Sequence, residues 1–397
     1  MSNIDFGKVK LKKFNFKLTS EICFTLLLGM VWANTTLVTY LRAILIRIPY
    51  IKDIRETIVS FIFALLAILA IPYIQKHVTA AMLLTYMGIC ALYLLNFLFY
   101  PQNQEALELY IGRFLVKSLP LMFIGVSIDL HKHFKMLYYL SLIVVVMRFF
   151  HHIIIEPVAV VAGDMNSSYQ LLPHVCMVLV NALNKRNFIN IFVSVLGIFS
   201  ILAYGSRGPV LCIGTLVISY MFLFKKIHKH PFVFSVTMIF IIAVVFWYEA
   251  IVVFLLELIG RVGLSTRILD MLLAGNIMDE SGRDVIQRQL LEAISENWFG
   301  YGIAGDRAIA GSYSHNLLIE LWVSYGVIPG TIMFVGLAFF LIKSLILRGE
   351  EHAEVVIIST VLFSSTVVKL FVSSSYLQEP LLFLLFGMIV AENKNRR

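Results

Sequence analysis

Residues 58–75 read IVSFIFALLAILAIPYIQ, a run of 18 positions without one charged side chain. At about 1.5 Å per residue, such a helix is roughly 27 Å long, close to the ~30 Å hydrocarbon core of a bilayer. Backbone amides and carbonyls find no water in lipid. The run must satisfy them internally, and an α-helix does so.

The same pattern recurs from end to end. Apolar spans are predicted at 20–40, 58–75, 80–100, 109–129, 136–155, 167–183, 188–204, 209–224, 232–254, 331–347, 353–371 and 377–391. The alternating pattern of an outer-membrane barrel is absent. The expected fold is therefore all-α: one integral membrane domain over residues 1–397, a polytopic bundle of about 12 transmembrane helices. Composition agrees. The 397 residues are 59% hydrophobic and 14% charged, where soluble chains carry roughly a quarter charged residues. Mean hydropathy is +0.87.

Some features carry little chemistry. Cys23, Cys90, Cys176 and Cys212 all fall inside apolar spans, where a free cysteine packs as a small hydrophobe. No pair has zinc or redox spacing, so neither a disulfide nor a metal site is expected. No cleavable signal peptide is visible behind the basic N-terminus (Lys8, Lys10, Lys12, Lys13, Lys17), and the first apolar run reads as an anchor. Walker A, HExxH and Gly-x-Ser-x-Gly patterns are missing, so no ATP use is expected.

Loop charges set the expected orientation. With the N-terminus inside, the cytoplasmic connections are Gln75–His77, His131–Lys135, Asn184–Arg186, Lys225–His230 and Arg348–His352, and the Lys394–Arg397 tail joins them. Nearly all are basic, as the positive-inside bias requires. The histidine-rich inner loops (His131, His133, His228, His230) read as facing anionic lipid rather than metal. Residues 41–57 dissent, because they fall outside yet carry Arg42, Arg47, Lys52 and Arg55. Either they lie at the interface against lipid phosphates, or the span count is wrong.

The outer side holds one long excursion, 255–330, expected to contain amphipathic helices. Ser281-Gly282-Arg283-Asp284 has capping-box form. Ile286, Leu290, Ile294 and Trp298 follow at a spacing of four, giving one apolar helix face. Asn297-Trp298-Phe299-Gly300-Tyr301-Gly302 ends that helix, with glycine suited to the cap. A short helix is expected from Asn316 to Tyr325, broken by Gly326, Pro329 and Gly330.

Three polar motifs on this outer side carry candidate chemistry. In Gly205-Ser206-Arg207-Gly208-Pro209 the glycines permit a tight reversal and the proline suits a first helical turn. Arg207 is left over, and it either snorkels to headgroups or faces a site. Arg283 falls in a first helical turn, where the dipole and free amides welcome anions. It is either solvated beside Asp284 or shares an anion with those amides. His315, between Ser314 and Asn316, is either structural or a general base, for which an unperturbed pKa of ~6.5 suits it. Arg113, Lys117, Arg148 and Lys369 lie in the outer halves of spans, against the positive-inside bias. A polyanionic ligand such as a diphosphate would compensate them, with arginine supplying a bidentate fork.

The ordered set Gly-Ser-Arg-Gly (205–208), Ser-Gly-Arg (281–283), Asn-Trp-Phe-Gly-Tyr-Gly (297–302), Ser-His-Asn-Leu-Leu-Ile-Glu (314–320) and Tyr-Gly-Val-Ile-Pro-Gly (325–330) resembles the bacterial O-antigen polymerase and ligase superfamily. The motif match covers roughly residues 200–330. The resemblance implies a metal-independent, inverting glycosyltransferase with a GT-C-like bundle and no cofactor, acting at the outer face of the cytoplasmic membrane; the loop charges put both termini inside. It implies a glycan donor on undecaprenyl diphosphate, a glycan acceptor, membrane lipids around both, and flippase and chain-length regulator proteins as partners. Nucleic acid has no place in it. Arg207 and Arg283 would hold the diphosphate, and His315 would act at the acceptor hydroxyl or beside the leaving group. Ser206 and Asn316 would line the same substrate site. Arg113, Lys117, Arg148 and Lys369 come from charge placement alone. A polymerase extends O-antigen or capsule chains on lipid-linked repeat units; a ligase transfers them to lipid A core or protein. A transporter or flippase of a lipid-linked anion is the non-enzymatic alternative. It would place charges near the midplane and on both halves of a pathway.

Overall fold

The computed structural model describes residues 16–33, 55–151, 165–185, 187–203, 207–223, 253–254, 256–257, 260–261, 282–346 and 353–395. These residues are helical throughout, with short connections and no strand among them. The apolar helices are α1 (Phe16–Trp32), α2 (Arg55–Ile74), α3 (Ala80–Phe99), α4 (Pro101–Val126), α5 (Leu130–Phe150), α6 (Met165–Lys185), α7 (Phe188–Ala203) and α8 (Arg207–Leu223). Three shorter helices follow: α9 (Arg283–Glu296), α10 (Gly305–Ala310) and α11 (Leu317–Tyr325). The chain closes with α12 (Val327–Ile346), α13 (Ala353–Leu370) and α14 (Pro380–Asn395).

Among the described residues, five helices are long and apolar enough to cross a membrane: Thr57–Ile74, Ala80–Phe99, Pro101–Val126, Leu130–Phe150 and Ala353–Leu370. Shorter apolar helices accompany them at Thr19–Trp32, Phe188–Ile201, Gly208–Met221, Val327–Ile342 and Pro380–Ala391. This is a helical membrane bundle. Most of the predicted span 232–254, most of the 41–57 segment and the Lys225–His230 loop lie outside the described residues.

Boundaries moved for physical reasons. The predicted connection His131–Lys135 is helical, and the turn falls earlier, at Ser127–Asp129. α12 starts at Val327 rather than 331, because Pro329 sits in the first turn, where no amide partner is lost. Gly326, with φ 89°, is the actual break.

α6 runs through the middle of the bundle. Leu171, Leu172, Val175, Cys176, Met177, Val178 and Val180 are buried around its circumference, as expected of a helix enclosed by others. It packs on α5, α7, α8 and α13. Elsewhere α14 crosses α4 at Gly125 and Gly387, where each backbone lies so close to the other that no Cβ fits. Small residues at such a crossing let membrane helices pack by direct backbone contact.

The connections sort into two groups, one at each end of the bundle. Lys132 bonds Glu21, and His131 lies 3.3 Å from Glu354, at one end. At the other, the Asn103 amide donates to the carbonyls of Tyr301 and Ile303, tying α4 to the segment between α9 and α11. α9 packs Leu290 and Ile294 against Ile319 and Val323 of α11, so the predicted stripe rests on the protein, with Trp298 excepted.

Candidate functional site

All three polar motifs meet at this second end, on the segment between α13 and α14. Gly208, in the first turn of α8, lies against Tyr169 and Val372 with no room for a side chain. Arg207 opens α8 beside it. The Arg283 guanidinium donates to the Val372 carbonyl, and the Tyr313 hydroxyl to the Ser373 carbonyl at 3.2 Å. Tyr313 and His315 have ring centroids 4.1 Å apart. Ser206 and Ser281 lie outside the described residues, as does the side chain of Arg207.

The start of α9 differs from the capping box. Its N-cap is Gly282 in the left-handed conformation (φ 66°), with no side chain accepting from the first turn. Arg283 is the first helical residue, so its guanidinium stands beside uncapped amides. At the other end of α9 the cap is Asn297, whose side chain bonds the turn that glycine was expected to close.

His315 carries two signs of a constrained site. Its φ of 55° is left-handed, a conformation that costs a non-glycine residue on the order of 1–3 kcal/mol. Its Nδ1 is buried without a hydrogen-bond partner among the described residues. Burial, helped by the Arg283 and Arg307 charges, lowers its pKa to about 4. The imidazole is thus neutral at pH 7 and holds a lone pair for a proton.

A buried network underlies this loop, and the sequence reading missed it. Arg307 contacts Asp306, Glu320 (3.0 Å) and the Ser375 hydroxyl (2.6 Å), with its guanidinium 4.9 Å from the Tyr110 ring centroid and 5.7 Å from that of Tyr313. The other Asp306 oxygen accepts the Ser314 amide at 3.0 Å, directly before His315. Ser375 also donates to Glu320. Burial works against the Arg307 charge, but Glu320 and Asp306 outweigh it and raise its pKa above the ordinary value. Burial likewise pushes the Glu320 carboxyl up, against Arg307 and with Asp306. The available signal was a charged pair, Asp306-Arg307, in a glycine- and alanine-rich stretch, together with a lone acid in the apolar α11.

The remaining candidates separate. The Asn316 side chain caps α11, accepting from the Leu318 and Ile319 amides, which accounts for its position without a ligand. Lys369 has its counter-charge inside the chain: Nζ lies 2.6 Å from Glu379, which also takes the Ser374 hydroxyl at 3.1 Å. Arg148 is buried between α5 and α6 and donates to Gln170 at 3.1 Å. Arg113 and Lys117 lie in a π-helical stretch of α4, exposed, with Arg113 three residues beyond Tyr110. π-Turns recur at functional sites because they turn side chains out of helical register. Among the described residues no group of three His, Cys, Asp or Glu forms a metal site.

No family model, curated protein or solved structure matches this chain.

Proposed function

We propose that the chain is a membrane glycosyltransferase that moves a glycan from undecaprenyl diphosphate to the hydroxyl of a lipid-linked acceptor, as a polysaccharide polymerase. The carrying observation is the convergence of Arg283 and His315 with the start of α8 on Val372–Ser375, from positions far apart in sequence.

The chemistry follows from the groups present. The acceptor hydroxyl attacks the anomeric carbon, the carrier diphosphate leaves from the opposite face, and the configuration inverts. Arg283 and the uncapped α9 amides face the charge that grows on the leaving diphosphate, and Arg207, at the head of α8, would supply a second cation there. One preorganised donor of this kind contributes on the order of 3–4 kcal/mol to the transition state. His315, neutral at pH 7, takes the hydroxyl proton, and its lowered basicity makes this a small part of the acceleration. Its low basicity suits a reaction whose leaving group is already good, so that positioning does most of the work. Arg113 and Lys117, exposed on α4 beyond Tyr110, would meet the carrier or its glycan.

In this reading the bundle has 12 spans in a GT-C-like arrangement, with both termini in the cytoplasm and the site on the outer face of a bacterial cytoplasmic membrane. The test is genetic. A deletion strain is complemented with wild type, Arg207→Ala, Arg283→Ala or His315→Ala, and surface polysaccharide is run on a gel. A polymerase defect leaves single repeat units; long chains stranded on the lipid carrier mark a ligase instead. Full-length, correctly attached chains in all three variants would remove the site assignment.

A further inference from the structure

The turn after α9 leaves two large aromatic side chains uncovered. Trp298 is 65% exposed and Phe299 90%. They are not on a loose tip. The Asn297 side chain bonds the Phe299 amide and the Gly300 carbonyl, and the Trp298 carbonyl accepts the Val327 amide at 2.9 Å. The Gly326 backbone packs directly on Trp298 and Phe299. The aromatics are therefore fixed at the first residue of α12.

The outward face of α12 says what surrounds them. Ile328, Ile332, Val335 and Phe339 are exposed along it at helical spacing, and the helix is apolar over Val327–Ile342. In a membrane bundle such a face meets acyl chains. Trp298 and Phe299 stand at its upper limit, where the apolar band gives way to the polar segment carrying Arg283 and His315. Phe99, 73% exposed, closes α3 at the same end. Tryptophan at this level forms the belts seen at membrane–water interfaces, because its ring is apolar with one polar N–H, and a phenylalanine beside it adds purely apolar area for the acyl side.

We propose that Trp298 and Phe299 form a lipid-docking surface that inserts at the boundary between headgroups and acyl chains of one leaflet. α9 then works as a strut. Its 14 residues span about 21 Å, from Arg283, bonded to Val372, to the aromatic pair at the lipid margin. Docking one end sets the depth of the other. The occupant is the bilayer, because the patch is continuous with a lipid-facing helix and carries no charge of its own.

Quenching of tryptophan emission tests this with the full chain in phosphatidylethanolamine–phosphatidylglycerol nanodiscs. The emission difference between wild type and Trp298→Phe isolates Trp298. Nitroxide-labelled lipids carry the quencher near the headgroup or deep in the acyl chain, and iodide reports water. Phe299→Trp, which adds emission instead of removing it, covers the case in which Trp298→Phe does not fold. The expected result is at least twofold stronger quenching by the shallow label than by the deep one, with little effect of iodide. Quenching by iodide alone overturns the proposal. So does protection from every quencher in a chain that runs as a dimer, since a second copy would then cover the patch. The readout does not depend on whether the chain transfers glycan.

Discussion

The Arg283 guanidinium donates to the carbonyl of Val372 across 89 residues of sequence, joining the first turn of α9 to the segment between α13 and α14. One bond of the planar fork is thereby used for position, and among the described residues its other donors have no hydrogen-bond partner. Arg283→Lys keeps the charge but cannot do both. For the glycan transfer proposed above, it is expected to lower the rate by about 10²-fold, and Arg283→Ala by 10²–10³-fold. Complementation followed by polysaccharide gels, with protein level checked in the membrane fraction, reads the effect. Wild-type chain length in Arg283→Lys would show that charge alone suffices.

His315 should titrate far from its ordinary range. Its folded pKa is about 4, against ~6.5 for an unperturbed histidine. Above pH 6.5 the group is neutral in both states and costs nothing. Between 6.5 and 4 the unfolded chain binds more protons, so stability falls as pH falls across that window. The melting temperature of His315→Gln should therefore decline less from pH 7 to pH 4.5 than that of wild type. Parallel declines would rule out the buried neutral imidazole.

An anion placed between Arg283 and His315 reverses that electrostatic balance. Inorganic pyrophosphate should raise the His315 midpoint, followed by the Cε1 resonance of labelled histidine, and binding should take up a proton near pH 5. An unchanged midpoint at saturating pyrophosphate would place the anion elsewhere.

The buried network beneath His315 holds one cation and two carboxylates, Asp306 and Glu320. Arg307→Met strands both acids and is expected to cost about 3–5 kcal/mol, enough to abolish folding in a marginal membrane protein. Glu320→Gln removes the surplus negative charge and keeps an acceptor for Arg307 and Ser375, so its cost should stay near 1 kcal/mol. Thermal unfolding of the purified variants in detergent separates the two.

Lys369 and Glu379 make the same argument on a smaller scale. Lys369→Met leaves Glu379 buried and unpaired; adding Glu379→Gln should recover most of the lost melting temperature. An additive loss in the double variant would mean that Lys369 answers to something other than Glu379.

Much of the molecule is legible in one dimension. A run such as 58–75 leaves no choice but a helix, because nothing in lipid can satisfy an open backbone. Arg283 in a first helical turn and a short helix before Gly326 followed from spacing and from glycine. The stripe Ile286, Leu290, Ile294 was visible as a stripe, but not what it covers: α11 takes it, since periodicity names a buried face without naming the neighbour. Lys369 looked like a charge in need of a ligand, while its counter-charge lay ten residues on in a different element. Asp306 and Arg307 carried no role in the sequence and Glu320 only closed a motif, because each alone is ordinary and only their burial together makes them costly.

Apolar run length and loop charge alone specify a helical membrane chain and its polar islands, because hydrophobic transfer is additive along a sequence. Tertiary packing alone decides that α8, α9 and the His315 loop converge on Val372–Ser375, and that His315 is neutral. Those properties depend on distances and desolvation between segments that no local pattern encodes.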